Sequence, residues 1–321
     1  MKAICVDENR DLQLREIEAP LAPPPGYVTV RIAAAAINPG DNTFLKAPGA
    51  AGGMFGNRLE DVWGASAAGT VIEAGEGVPE HYKDRKVAIY RSLQLDQAVL
   101  GLWCETALVP YLTCLPLPES VDARDYSGSL VNVATAYAFL EQAAAEGHRG
   151  IVVTAGGSAT GRAVVELARR RGVPAVVITR DWSSTPDFLR ELEQTAADLG
   201  ATAVFDGVGG SLISRILPAL PRKSSLYCYG FLDRAEPVTF HSSLLMMKDL
   251  TIRRFSNFES PTVRDPRKLA AMLADLEGCI EDPAFRTKLG RIFDLADFDA
   301  AMQYAAAHGA KPVFVPYSVM P

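Results

Sequence analysis

The sequence predicts two domains, an all-β domain at the start of the chain and an α/β domain with a parallel sheet in the middle. The chain has 321 residues, more than the roughly 100–200 of a typical single domain. Short apolar runs separated by Gly and Pro, up to residue 120, are typical of an all-β domain. The continuous apolar run 151–154, followed by a Gly-rich turn and a helical pattern, is typical of a strand buried on both faces of a parallel sheet.

Four runs in the first part of the chain are predicted to be strands, because each is rich in apolar or β-branched residues and is bounded by turn residues. A Pro-rich turn precedes the first run, and a Gly-Glu-Gly turn ends the second. The predicted strands are 28–32, 68–74, 87–90 and 105–109.

The pattern changes near residue 121, where helical periodicity begins. Residues 125–145 and 161–171 are predicted to be helices, and the second of them lies between the buried strands 151–154 and 176–179. A strand–helix–strand unit of this kind crosses over right-handed into a parallel sheet. Later strands are predicted at 203–205, 225–229, 250–252 and 313–315, and later helices at 187–199, 266–280 and 298–307.

The composition excludes several classes of function. Lys plus Arg is 32 and Asp plus Glu is 38, a net charge of −6, so we expect no binding to nucleic acid through phosphate neutralisation. No apolar run approaches the roughly 18 residues of a membrane helix, and the chain reaches charged residues too soon for a secretory signal. The five cysteines form no CxxC pair and the four histidines are far apart, so we expect no disulfide framework, no zinc site and a cytoplasmic location.

The Gly-rich turn between the strand 151–154 and its helix predicts a dinucleotide site. Small residues let the backbone approach a pyrophosphate, and a helix N-terminus offers unpaired N–H groups with a positive dipole. A serine stands at the middle glycine position of the motif, and the alternative is a tight turn with no ligand. The residues predicted to hold the cofactor here are Ala155, Gly156, Gly157, Ser158, Ala159, Thr160 and Gly161.

Arg180 follows the second buried strand, 19 residues after Gly161. An acidic residue in this place suits the ribose hydroxyl of NAD, whereas an arginine suits the 2′-phosphate of NADP. We therefore expect NADPH rather than NADH as the cofactor. The alternative is a solvated arginine beside Asp181.

Seven segments together resemble the medium-chain dehydrogenase/reductase superfamily, in its zinc-free, quinone-oxidoreductase-like branch. The resemblance covers nearly the whole chain, and the order and spacing of the segments carry it. The segments are Met1-Lys2-Ala3, Ala-Ile-Asn-Pro-Gly-Asp at 36–41, the run 69–78, Thr135-Ala136-Tyr137, the turn 155–161, Phe-Asp-Gly-Val-Gly-Gly at 205–210, and Lys-Asp-Leu-Thr-Ile at 248–252.

The resemblance implies a GroES-like catalytic domain and a Rossmann domain, a doubly wound parallel sheet that binds NADP. The first would comprise residues 1–121 and, after a return of the chain, 263–321; the second would comprise 122–262. The substrate would lie in the cleft between them. Family members usually carry a further helix and strand after the second strand of the sheet, but here residues 181–186 run almost directly into the helix 187–199. We therefore expect the sheet to lack one edge helix–strand unit.

The resemblance also implies where a metal would be bound in zinc-dependent relatives. They have a cysteine at the place of Asn38 and a His–Glu pair at the place of Ala65 and Ser66. None of the three residues present can replace those ligands, so we expect no zinc. Without a Lewis acid, the substrate should be electrophilic by itself.

By the same resemblance, further residues are implied to line the cofactor or the cleft. Each has a simpler alternative: Asn38 as a turn residue before proline, Thr135 as a helix residue bonded to its own backbone, the glycines as turn residues, and Tyr90 as a structural strand residue. The residues implied are Asn38, Thr135, Val208, Gly209, Gly230 and Phe231 for the cofactor, with Tyr90 as a possible proton donor.

These expectations favour an NADPH-dependent enzyme that transfers hydride to a quinone or a conjugated enone. One alternative is a 2-enoyl thioester reductase, but such enzymes carry a proton-donating Tyr shortly after the Asn-Pro motif, and residues 44–49 contain none. Another alternative is a regulatory family member that binds the cofactor without turnover. By resemblance, Ser242–Phe255 would form an edge strand through which two chains pair into a homodimer.

Overall fold

The computed structural model describes residues 1–46, 62–94, 101–233, 235–307 and 311–317. The chain forms two compact units. The first, which we call the β-rich unit, comprises Met1–Val131 and Val263–Pro321, and the second, the α/β unit, comprises Asn132–Thr262. Among the described residues, no helix is both long enough and apolar enough to cross a membrane.

The β-rich unit contains two sheets. Strands β1 and β2 form an antiparallel pair, and the other strands form a sheet in the order β13-β14-β3-β4-β5-β7, with β6 also paired to β3. The strands are β1 Lys2–Val6, β2 Leu12–Glu16, β3 Tyr27–Ala36, β4 Ser66–Ala74, β5 Lys86–Tyr90, β6 Thr106–Pro110 and β7 Cys114–Pro116, with β13 Leu289–Phe293 and β14 Lys311–Phe314 from the end of the chain.

The central strand of this sheet, β3, is longer than predicted. The predicted part contains Val28, Val30 and Ile32, which are all fully buried. The last residues of the strand, Ala34–Ala36, are buried as well, because β4 and β14 pair with them on either side. Alanine alone is a weak strand former, so this extension depends on the neighbouring strands.

The α/β unit has a five-stranded, wholly parallel sheet in the order β12-β11-β10-β8-β9. The strands are β8 Gly150–Val153, β9 Ala175–Val177, β10 Ala201–Asp206, β11 Ser225–Cys228 and β12 Thr251–Arg254. Every residue between β9 and β10 is described, and this segment contains two helices and no strand. The expected doubly wound sheet that lacks one edge unit is thus confirmed.

The central strands of the parallel sheet, β8 and β10, are buried on both faces. Val152 and Val204 pack with Phe188 and Leu192 on one face. On the other face, the ring of Phe139 stacks on that of Phe205 with centroids 4.1 Å apart. This two-sided burial explains why the strands read as continuous apolar runs.

Ten helices are described across the two units. They are α1 Pro39–Lys46, α2 Ser129–Ala145, α3 Ala159–Arg170, α4 Arg180–Ser183, α5 Phe188–Asp198, α6 Gly210–Ile216, α7 Ser243–Lys248, α8 Pro261–Arg264, α9 Pro266–Glu277 and α10 Phe298–Ala307. Short 3₁₀ turns occur at Glu80–Tyr82, Arg91–Leu93, Tyr111–Thr113, Ala123–Tyr126, Leu217–Ala219, Asn257–Glu259, Pro283–Phe285 and Leu295–Asp297.

The prediction that Ser242–Phe255 forms an edge strand was wrong for the first half of that segment. Ser243–Lys248 is the helix α7, and Asp249 ends it in the left-handed conformation with φ of 53°. Only Thr251–Arg254 forms a strand, β12, which does lie at the edge of the sheet. The apolar run 244–247 suits a helix face as well as a strand, so the pattern could not decide between them.

Candidate functional site

The Gly-rich turn lies at the carboxyl end of β8, next to the place where the strand order reverses. From β8 the chain moves outward to β9 and then returns past β8 to β10. In open α/β sheets, ligands bind at this switch point. The turn is tight: Ala155 adopts φ of 52°, and a Cβ on Gly161 would lie 2.4 Å from the carbonyl oxygen of Ala155.

Ser158, which departs from the glycine motif, caps helix α3. Its hydroxyl oxygen accepts a hydrogen bond from the N–H of Gly161 at 3.0 Å. Among the described residues, the N–H groups of Ala159 and Thr160 have no acceptor. Two unpaired donors at the positive end of a helix form a site suited to an anion.

Gly157 leaves the approach to these donors open. It is exposed, and a Cβ built on it would meet no atom within 4 Å. By contrast, a Cβ on Gly156 would lie 2.2 Å from a methyl group of Val177. At Gly156 and Gly161 the absence of a side chain lets neighbouring protein atoms pack closely, whereas at Gly157 it leaves room for a ligand to reach the backbone.

A buried carboxylate joins the turn to the next loop. Asp206, which is 1% exposed, accepts a 2.6 Å hydrogen bond from the Thr154 hydroxyl and also bonds to the N–H groups of Val208 and Gly209. Burial raises the pKa of Asp206, and these hydrogen bonds oppose that rise. Because the amides of Val208 and Gly209 point to Asp206, they are not available as donors to a cofactor.

The segment after β11 packs against this loop through its backbone. The N–H of Gly230 donates to the carbonyl of Asp206 and that of Leu232 donates to the carbonyl of Gly207. Phe231 remains 53% exposed. The structure thus brings together the predicted residues of the turn, of the loop 208–209 and of the loop 230–231 at one edge of the sheet.

Tyr229 lies among these segments and was not predicted from the sequence. Its hydroxyl lies beside Gly207, where a Cβ would lie 2.5 Å from it, and its ring stacks on Phe205 with centroids 4.0 Å apart. Burial raises the pKa of Tyr229 to about 12, so the hydroxyl stays protonated at neutral pH. An aromatic residue directly after a buried strand was the available signal.

Arg180 begins helix α4 rather than ending the second strand, because the Thr179 side chain accepts from the N–H of Trp182 and starts a helix there. Arg180 is exposed, and no acidic side chain of the described residues pairs with its guanidinium. Ile178, two residues earlier, accepts a hydrogen bond from the N–H of Gly156, so the segment before Arg180 contacts the Gly-rich turn.

Thr135, on α2, accepts a 2.8 Å hydrogen bond from Asn257 rather than bonding only to its own backbone.

The other predicted residues belong to the β-rich unit, where Asn38 lies in a buried polar cluster. Its amide nitrogen donates to Asp41 at 3.0 Å and to the Ser66 hydroxyl at 2.8 Å. Asp41, 4% exposed, also accepts from the N–H groups of Asn38 and Ala65. The three positions that hold zinc in relatives, by resemblance, thus lie close together here.

Lys311 completes this cluster and was not predicted. Its ammonium group donates to the amide oxygen of Asn38 at 2.7 Å and to the carbonyl of Gly128 at 3.2 Å. An ammonium on one side and a carboxylate on the other determine which way the Asn38 amide points. Both amide hydrogens of Asn38 are therefore already bonded within this unit.

Tyr90 is 6% exposed and lies opposite Ser66 in the β4–β5 pairing.

Among the described residues, no three His, Cys, Asp or Glu side chains are grouped so that they could hold a metal ion.

Comparisons with known proteins agree with this architecture. Residues 24–119 match the alcohol dehydrogenase GroES-like domain family. A mitochondrial enoyl-acyl-carrier-protein reductase of Dictyostelium discoideum is 24% identical in an alignment 316 positions long, which covers 89% of this chain and 85% of that protein.

Two solved structures share the fold. An alcohol dehydrogenase superfamily protein of Novosphingobium aromaticivorans is similar with a TM-score of 0.76 and 20% identity, over 99% of this chain and 100% of that one. A quinone oxidoreductase of Escherichia coli, solved in complex with NADPH, is similar with a TM-score of 0.72 and 18% identity, over 98% of this chain and 100% of that one.

Proposed function

We propose that the chain is a member of the medium-chain dehydrogenase/reductase superfamily and an NADPH-dependent reductase that transfers hydride to a quinone or a conjugated enone. The match of residues 24–119 to the alcohol dehydrogenase GroES-like domain family and the fold shared with the two solved structures support this proposal. The observation that carries the proposal is the open turn at the switch point, where the N–H groups of Ala159 and Thr160 have no acceptor among the described residues.

The residues of this edge fit a nicotinamide nucleotide. The N–H groups of Ala159 and Thr160 would hold its diphosphate, and Gly157 lets the backbone approach it. The guanidinium of Arg180 would hold a 2′-phosphate, for which its bidentate geometry is suited. When bound, the nucleotide supplies the hydride.

The polar cluster of the β-rich unit bears on the substrate. Asn38, Ala65 and Ser66 do not form a zinc ligand set, so we infer an acceptor that is already electrophilic. The chain's own task is to bind and orient the acceptor and to exclude water. A quinone needs no protein acid, because its reduced form takes protons from solvent, and this agrees with the buried position of Tyr90.

A 2-enoyl thioester reductase is the second candidate, and the relative from Dictyostelium discoideum favours it. The sequence from Asn38 to Val62 contains no tyrosine, whereas thioester reductases, by the family resemblance, use one shortly after the Asn-Pro motif. Residues 47–61 lie outside the described residues. The first candidate therefore remains the proposal.

Steady-state oxidation of NADPH tests the proposal. We expect turnover with 1,4-naphthoquinone or a conjugated enone, and little with a crotonyl thioester. Faster turnover with the thioester would support the second candidate. NADPH binding without turnover on any acceptor would support a regulatory role instead.

Changing Arg180 to Ala is expected to weaken NADPH binding and to leave NADH binding unchanged. Loss of a charged bidentate contact is worth about 1.5–3 kcal/mol, or roughly 10–150-fold in affinity. Fluorescence titration of wild type and variant with both nucleotides measures this. Equal affinity of the wild type for the two nucleotides would contradict a phosphate-binding role.

We also propose a homodimer formed through the edge strand β12, which is mostly exposed. The neighbouring helix α7 exposes 85% of Met246 and 70% of Met247, and exposed apolar side chains beside an unpaired strand edge suit an interface.

Changing both Met246 and Met247 to Glu is expected to turn the dimer into a monomer in sedimentation velocity. Leu21→Glu, at an 86% exposed apolar residue of the β-rich unit, is the control that should stay dimeric. A wild type that sediments as a 34.5 kDa monomer would contradict the proposal.

A further inference from the structure

We propose that Arg162 is a second phosphate-binding residue, which holds the diphosphate of the nucleotide while Arg180 holds the 2′-phosphate. The inference rests on the nucleotide site proposed above and adds to it a residue that lies outside the glycine motif. It follows from where the guanidinium is held and from the absence of a carboxylate partner in the described part of the chain.

Arg162 is held at the mouth of the Gly-rich turn. It lies in the first turn of α3, is half-buried, and its guanidinium donates to the carbonyl oxygen of Gly157 at 2.9 Å. Gly157 is the residue that leaves the approach to the turn open. The positive charge is thus placed beside the unpaired amides of Ala159 and Thr160.

The other arginines at the far end of the same helix are bonded differently. Arg169 and Arg170 both pair with Glu166, and Arg171 pairs with Glu141. Arg162 has a carbonyl as its hydrogen-bond acceptor, and none of the described acidic side chains pairs with it. Its charge is therefore not neutralised within the described part of the protein.

The position of this charge is electrostatically unfavourable without a ligand. A helix N-terminus carries a partial positive charge, so a cation in the first turn is repelled, whereas cations at the C-terminus are stabilised. Arg169 and Arg170 lie in the last turn of α3, where a positive charge is stabilised, whereas Arg162 lies in the first turn, where it is not. A bound diphosphate would remove the repulsion, because it is attracted both by the helix end and by the guanidinium.

The missing edge unit gives Arg162 a clear role. The sheet has no strand between β9 and β10, so the cofactor loses the contacts that a further helix and strand would provide, and a second arginine at the diphosphate would restore charge complementarity. The two arginines should then bind different phosphate groups of the cofactor. Arg162 should act on every nucleotide with a diphosphate, and Arg180 only on those with a 2′-phosphate.

The test is fluorescence titration of wild type, Arg162→Gln and Arg162→Lys with NADPH and with NADH. For Arg162→Gln we expect both affinities to fall by a similar factor of about 10 to 100, with partial recovery in Arg162→Lys and a weaker dependence on salt. Arg169→Gln is the matched control, because it removes an arginine from the exposed end of the same helix. It should bind both nucleotides like the wild type.

Three outcomes would overturn the inference. Wild-type affinity of Arg162→Gln for both nucleotides would show that the residue does not touch the diphosphate. A loss confined to NADPH would assign it to the 2′-phosphate instead. If Arg162→Gln without nucleotide is also less stable to heat than the wild type, and by enough to account for the weaker binding, Arg162 only supports the turn. If the wild type binds neither nucleotide, the proposed function itself fails, and this inference fails with it.

Discussion

Changing Gly161 to Ala is expected to destabilise the α/β unit by about 1–3 kcal/mol, the range of strained overpacking, and to abolish nucleotide binding. A Cβ at this position would lie 2.4 Å from the carbonyl oxygen of Ala155 and 2.8 Å from the Cα of Gly156. Both are backbone atoms of the same tight turn, so they cannot move aside as a flexible side chain would. Urea unfolding and NADPH titration measure the two effects.

Changing Gly157 to Ala is the matched control for this prediction. The added methyl group would meet nothing within 4 Å, so we expect the free energy of unfolding to change by less than about 1 kcal/mol. Nucleotide affinity should nevertheless fall at least about tenfold, because the methyl group would stand where the diphosphate approaches the backbone. If this variant binds NADPH like the wild type, the diphosphate does not lie against this turn.

Changing Asp41 to Ala is expected to destabilise the β-rich unit by about 2–4 kcal/mol, because several buried hydrogen-bond donors lose their acceptor. The carboxylate accepts from the backbone N–H groups of Asn38 and Ala65 and from the Asn38 side chain. Chemical unfolding of wild type and variant gives the difference.

Changing Asp7 to Ala provides the comparison for Asp41. Asp7 also accepts three hydrogen bonds, from the N–H groups of Asn9 and Asp11 and from the side chain of Gln13, but it does so at the surface. Water can replace these bonds, so we expect a loss of about 1 kcal/mol or less. Similar losses for the two variants would show that burial of the Asp41 cluster contributes little.

The α/β unit was well predicted wherever a pattern is local. The apolar run 151–154 and the helix after the Gly-rich turn appear as β8 and α3, and the missing edge unit could be inferred from the short distance between 176–179 and 187–199. The pattern failed where two structures fit it equally. The segment 244–247 could be a strand or a helix face; in the structure it is a helix, in which Leu244 packs against the unit's core while Met246 and Met247 are exposed.

The sequence by itself determined the fold class, the family resemblance and the turn that offers amides to an anion, because each depends on residues that are neighbours along the chain. Only the tertiary structure decided which side chains complete the polar clusters. Thr154 meets Asp206 across 52 positions, and Lys311 meets Asn38 across 273. Such contacts follow from strand order and from the return of the chain to its first sheet, and no local spacing of residues encodes them.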